Sequence, residues 1–201
     1  MITPQEATQI INSHLLRFAN ETVELDQARG HILQEPVVAD RDFPPFNRVT
    51  MDGVAYSFDQ ASGENSEMTI EGMQLAGEPA KTLSNASNCL EVMTGAVLPA
   101  GTDTVTPYEE VGIQEQDRKK IATLKTVPEK KGENVHPQGY DRSQGEELLS
   151  VGIRLGAAQI AVAASVGKAT LTVTQPPVVA IVSTGDELVP VNEQPEPYQI
   201  R

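Results

Sequence analysis

Between Val54 and Val135 the chain offers only short apolar runs, each cut off by Gly, Asn, Pro or a charged cluster. Strands need no more than that, whereas a long helix needs an unbroken stripe, so this stretch is confined to a small β-rich unit. The expected strands lie at 68–70, 89–93, 104–106 and 120–126, with the charged 114–120 stretch as a solvated hairpin turn. Both borders of the unit are marked. Phe43-Pro44-Pro45-Phe46 restricts the backbone to extended shapes, and the stretch from Gly132 to Gly145 makes a second loop-rich junction.

Outside the borders the texture becomes helical. Thr3-Pro4-Gln5-Glu6 reads as a capping box with proline at the first helical position. Behind it Ala7, Ile10, Ile11, Leu15 and Phe18 form a stripe expected to face a core. His14, near that stripe, reads as a packed or edge histidine. A short strand is expected near 37–39. Past Gly145 the 147–164 segment is expected to be helical, its stripe Ala157, Ile160, Ala161 and Ala164, with Gly167 as its C-terminal cap. A strand at 169–174 follows, broken by Pro176-Pro177. The β-branched run 178–182 suits a strand buried on both faces, the way a doubly wound α/β domain begins. The fold class expected is α+β with more than one domain.

Fifteen basic residues against 28 acidic ones give a net charge of −13, which argues against non-specific binding to nucleic acid or to an anionic membrane surface. An anionic substrate would need backbone donors, a few placed cations or a divalent metal. One cysteine, Cys89, cannot form an internal disulfide. With no signal-like start and no membrane-length apolar run, a cytoplasmic protein is expected.

Four constellations can carry chemistry. Ser183-Thr184-Gly185-Asp186-Glu187 follows the expected buried strand, where open α/β sheets bind ligands, and its carboxylates can hold Mg²⁺ bridging substrate phosphates. It can equally be a strand-to-helix turn capped by Asp186. In Thr50-Met51-Asp52-Gly53 the glycine permits either a positive φ or close backbone approach, and Asp52 is either presented for function or closing an Asx-turn. The stretch from Met93 to Gly101, containing Thr94, reads most simply as a β-hairpin connection. The 134–141 loop brings His136, Tyr140 and Asp141 together but makes a poor metal site.

The order and spacing of these pieces resemble one family, the MoeA and gephyrin E-domain molybdopterin molybdotransferases, over their N-terminal portion. The resemblance rests on Pro44-Pro45-Phe46-Asn47, Met51-Asp52-Gly53-Val54-Ala55, Ala76-Gly77-Glu78-Pro79, Met93-Thr94-Gly95-Ala96, Leu98-Pro99-Ala100-Gly101-Thr102-Asp103, Asn134-Val135 with Gly139-Tyr140-Asp141, and Ser183-Thr184-Gly185-Asp186-Glu187-Leu188. It implies a small mixed α/β domain I built from 1–45 and 142–175, an inserted β-rich domain II at 46–141, and at 176–201 the first strand of a doubly wound α/β domain III, molybdopterin-binding-like and truncated. The N-terminal helix would pack on domain III.

The implied activity is insertion of molybdate into adenylylated molybdopterin with release of AMP, assisted by Mg²⁺. A homodimer with a composite active site is implied as well. Asp52, Thr94, Asp141 and Glu187 match functional positions, Glu187 near the nucleotide and metal. Ser183, Thr184, Gly185 and Asp186 are the expected cofactor-binding residues. As a truncated part the chain is expected to be inactive alone. A non-catalytic, acidic dimerisation or scaffold module is the alternative. The chain departs from the family pattern at Asn47-Arg48-Val49-Thr50 and Val54, and His136-Pro137-Gln138 replaces the usual basic residues.

Overall fold

Short strands persist only when neighbours take up their N–H and C=O groups. The computed structural model, which describes residues 2–14, 16–61, 63–116 and 118–201, pairs the middle stretch into one six-stranded sheet. In spatial order its strands are Thr104–Pro107, Gly53–Tyr56, Cys89–Val92, Glu67–Gln74, Lys119–Leu124 and Val111–Gln116. Glu67–Gln74 runs parallel to Cys89–Val92, and the other neighbours are antiparallel. Alternate side chains leave opposite faces of the sheet. Val54 and Tyr56 pack with Met68, Cys89, Ala122 and Leu124, while Ala55 packs with Val49, Val92, Ala96 and Val105. With neighbours on both edges and both faces, Gly53–Tyr56 is buried throughout.

Gln74 is fully buried because its amide is satisfied locally. Oε1 accepts from the Lys81 N–H at 2.7 Å, and Nε2 donates to the carbonyls of Leu75 and Pro79, each at 3.2 Å. The Ala76-Gly77-Glu78-Pro79 turn is thereby wrapped around one side chain.

The two ends of the chain build a separate core. Asn20–Glu24 pairs with Thr170–Thr174, and Val37–Val38 with Glu147–Leu149, both antiparallel. Ala28, Leu33, Val37, Leu149, Leu155, Ala163, Leu171 and Val173 form its buried cluster, to which the middle stretch contributes no member. The junctions lie side by side: Phe43 N–H donates to the Arg142 carbonyl at 2.8 Å and Asp141 N–H to the Phe43 carbonyl at 2.9 Å. Asp42 bridges them, its carboxylate accepting from Gln144 N–H and Gln138 Nε2, each at 2.9 Å. The Phe43–Pro44 peptide bond is cis.

Several expectations are corrected. The helical 147–164 segment resolves into the strand Glu147–Leu149 and a shorter helix, Ala157–Ser165. Its inner face is Ile160, Val162, Ala163 and Val166, while Ala157, Ala161 and Ala164 are exposed, because alanine occurs on both faces and its periodicity could not choose between them. Residues 178–182 form no strand and are exposed: among the described residues no strand pairs with them and nothing apolar covers them. The connection from Met93 to Gly101 is no hairpin, since Gly53–Tyr56 lies between Cys89–Val92 and Thr104–Pro107.

The N-terminal capping box is present, with Glu6 N–H donating to Thr3 Oγ1 at 3.2 Å and Thr3 N–H to Glu6 Oε2 at 2.7 Å. The helix it opens, Pro4–Ser13, buries no residue. Leu15 of the expected stripe and Asp117 of the expected hairpin turn lie outside the described residues. No helix among the described residues is long and apolar enough to cross a membrane.

Candidate functional site

Two residues of strand, Arg48–Val49, draw three of the four constellations together. On one side they pair antiparallel with Val135–His136. On the other, Val49 N–H donates to the Ala96 carbonyl at 3.0 Å, and Gly95 N–H returns to the Val49 carbonyl at 2.9 Å. Gly95 adopts a φ of 85°, which favours glycine and turns the chain at Thr94-Gly95. Asp52 follows three residues after Val49, with Val49 and Ala96 buried beneath.

Asp52 is exposed, and its carboxylate is fixed from across the turn. Oδ1 accepts from the Thr94 N–H at 2.6 Å and from Thr94 Oγ1 at 2.7 Å. These two donors hold the Asp52 carboxyl below its ordinary range. The Asx-turn is therefore not what its side chain makes. The main-chain carbonyl of Asp52 accepts from Tyr108 N–H at 3.1 Å. Oδ2 has no hydrogen-bond partner among the described residues, so it is the atom presented outward.

Asp141 repeats this pattern. Its Oδ1 lies 3.0 Å from His136 Nε2, and Oδ2 has no hydrogen-bond partner among the described residues. Thr50, Asn134, Val135, His136, Pro137 and Tyr140 line an adjoining cleft of about 400 Å³. Thr50 N–H donates to the Asn134 carbonyl at 3.1 Å, and Asn134 Nδ2 to the Val105 carbonyl at 3.0 Å. The arrangement offers two carboxylates, each anchored by one oxygen, beside an open cleft. That suits orienting a proton-bearing oxygen or a metal-bound water.

The fourth constellation is not brought to this place. Among the described residues, 183–187 hydrogen-bond only within the C-terminal segment: Leu188 N–H donates to the Gly185 carbonyl at 3.1 Å and Ile200 N–H to the Glu187 carbonyl at 2.7 Å. Asp186 and Glu187 offer hard oxygen donors of the kind Mg²⁺ prefers, one or two carboxylates complementing substrate phosphates. No group of three or more His, Cys, Asp or Glu among the described residues can hold a metal ion by itself. What the sequence does not reveal is the organising pair of strands, Arg48–Val49 with Val135–His136. Each is two residues long, too short for a period-two pattern to register.

Fold and site together define a sheet-dominated α+β protein that displays anchored carboxylates from turns beside the short strand pair Arg48–Val49 and Val135–His136. Residues 2–167 match the family model described as the MoeA N-terminal region, domain I and II, and the chain belongs to this family. It is 38% identical over 201 residues to a molybdopterin molybdenumtransferase of Synechocystis sp., covering 100% of this chain and 51% of that relative. It is 32% identical over 204 residues to the enzyme of the same name from Staphylococcus epidermidis, covering 100% and 48%. Two crystal structures of the molybdopterin biosynthesis MoeA protein from Pyrococcus horikoshii superpose with TM-scores of 0.80 and 0.82, each at 29% identity. They cover 100% and 94% of this chain against 51% and 50% of the neighbours. The chain thus spans about half the length of the relatives it matches.

Proposed function

We propose that the chain forms the domain I and domain II part of an enzyme of molybdenum cofactor biosynthesis, a transferase that inserts molybdate into adenylylated molybdopterin and releases AMP. The observation that carries this reading is the meeting of Asp52–Thr94 and Asp141–His136 on the strand Arg48–Val49, in a chain of the MoeA family. Residues 1–45 and 142–175 are domain I, the dimerising part, and 46–141 are domain II. Residues 176–201 open domain III. The separate core built by the two chain ends supports this division. The protein works as a cytoplasmic homodimer whose composite site combines domain II of one subunit with domain III of the other.

In that site Asp52 and Asp141 present Oδ2 to the reacting oxygens, and Thr94 keeps Asp52 ionised and in place. A carboxylate so oriented accepts a proton or aligns an attacking oxygen without first reorganising. Ser183, Thr184, Gly185 and Asp186 contact the pterin nucleotide, and Glu187 supplies a carboxylate to Mg²⁺. When bound, Mg²⁺ offsets the charge of the phosphates, which a chain of net charge −13 would otherwise repel.

The test is made in the natural full-length protein. Asp52→Asn keeps the shape of the side chain and removes its charge. It should slow molybdate-dependent AMP release from adenylylated molybdopterin by about a hundredfold while leaving the melting temperature near that of the parent. A wild-type rate would return the Met-Asp-Gly turn to a purely structural role and support the scaffold alternative.

A further inference from the structure

The loop that carries Asp141 holds that residue's carboxylate with an unusual partner. His136 Nε2 stands 3.0 Å from Asp141 Oδ1. The imidazole is fixed from a second side by Tyr140, which meets it edge to face at 5.2 Å between centroids and 84° between planes. Its backbone is pinned as well, paired in register with Arg48. The imidazole side chain is 25% exposed and the aspartate side chain 51%, so the more buried ring holds the more exposed acid. The neighbouring cation is committed elsewhere: Arg142 donates from Nη1 to the Asp141 main-chain carbonyl at 2.8 Å and pairs through Nε with Glu146 at 3.2 Å. Among the described residues, His136 alone bonds the Asp141 carboxylate.

We infer that His136 is a positioning residue for Asp141: it anchors Oδ1, turns Oδ2 toward the reacting oxygens, and is itself braced by the edge of Tyr140. The inference rests on the function proposed above. It differs from a structural role because the effect passes through the orientation of one carboxylate. Removing the ring should therefore alter the chemical step more than substrate affinity, and a side chain that restores a donor at the Nε2 position should repair it. Glutamine places its amide nitrogen near that position.

The experiment uses the natural full-length protein and compares His136→Ala, His136→Gln, Asp141→Asn and the double variant His136→Ala with Asp141→Asn. Molybdate-dependent AMP release is the readout, with melting temperatures measured in parallel. His136→Ala should lower kcat about tenfold with KM within about twofold. His136→Gln should recover most of that loss, and the double variant should be no slower than Asp141→Asn alone, since the two groups act as one unit. Wild-type kcat in His136→Ala beside a slow Asp141→Asn would overturn the positioning role and leave the proposed function standing, as would losses that multiply in the double variant. Wild-type kcat in Asp141→Asn would overturn the role of Asp141 and the inference with it.

Discussion

A Cβ on Gly53 would stand 2.0 Å from the Thr106 carbonyl oxygen and 2.9 Å from the Pro107 Cα, and both are main-chain atoms of a paired strand that cannot swing aside. Gly53 is needed for close approach, and its φ is not among the positive ones. Gly53→Ala should therefore cost about 3 kcal/mol or more, read from the urea midpoint, since the whole strand must shift to relieve the overlap. Glu71 shows the opposite case, a side chain whose charge is what matters. The Ser84 N–H and hydroxyl, then the Asn88 amide and the Asn85 N–H, bring its carboxyl down from 4.5 to about 2. A depressed acid contributes its stability above the unfolded value and loses it as pH falls through the folded one. Acidification from 4.5 toward 2 should thus narrow the stability gap between the parent and Glu71→Gln, followed by urea titration across that window. A gap independent of pH would show that the clasp around Glu71 does not depend on its charge.

Among the elements, the two helices make a contrast. Ala157–Ser165 is stopped by a Schellman motif: Gly167 N–H donates to the Ala164 carbonyl at 3.0 Å and Lys168 N–H to that of Ala163 at 3.1 Å. Gly167 adopts a φ of 76°, which an L side chain resists. Ala163 ties this helix into the core beside Leu155 and Leu171, so the strain of a side chain at Gly167 should propagate to the whole domain. Gly167→Ala is expected to cost about 1 kcal/mol, a fall of about 2–4 °C in Tm by calorimetry. Pro4–Ser13 has good capping but buries no residue among those described, with Ile10 and Ile11 exposed. A helix of that length draws most of its stability from packing.

For the whole molecule, the junctions are tied to each other by the ladder around Phe43 and by the Asp42 clasp. Residues 176–185, in contrast, lie outside every helix and strand and are exposed. Protease attack follows local opening, so a bonded neck should resist longer than an uncovered segment. Brief digestion of this chain with elastase, which cleaves after small aliphatic residues, should cut first within 178–182, leaving the neck at 39–47 and 136–146 intact. Early cuts in the neck, read by mass spectrometry, would show that its ladder opens more readily than the hydrogen bonds imply.

The sequence by itself determined whatever is settled by neighbours along the chain. The capping box at Thr3, the stop at Gly167, the alternation that makes Thr170–Thr174 a half-buried strand, and the β-rich character of the middle stretch all follow from local bonding and spacing. So did the motifs around Asp52, Thr94 and Asp141, whose order suggested the family. Tertiary structure alone decided where those motifs meet, because Arg48–Val49 and Val135–His136 are strands only by virtue of each other. It also decided that Gly53–Tyr56 separates two strands adjacent in sequence order, and that residues 178–182, apolar enough for a buried strand, stay open. Propensity supplies a weak preference for strand, but the hydrogen bonds and buried area that stabilise one come from a partner.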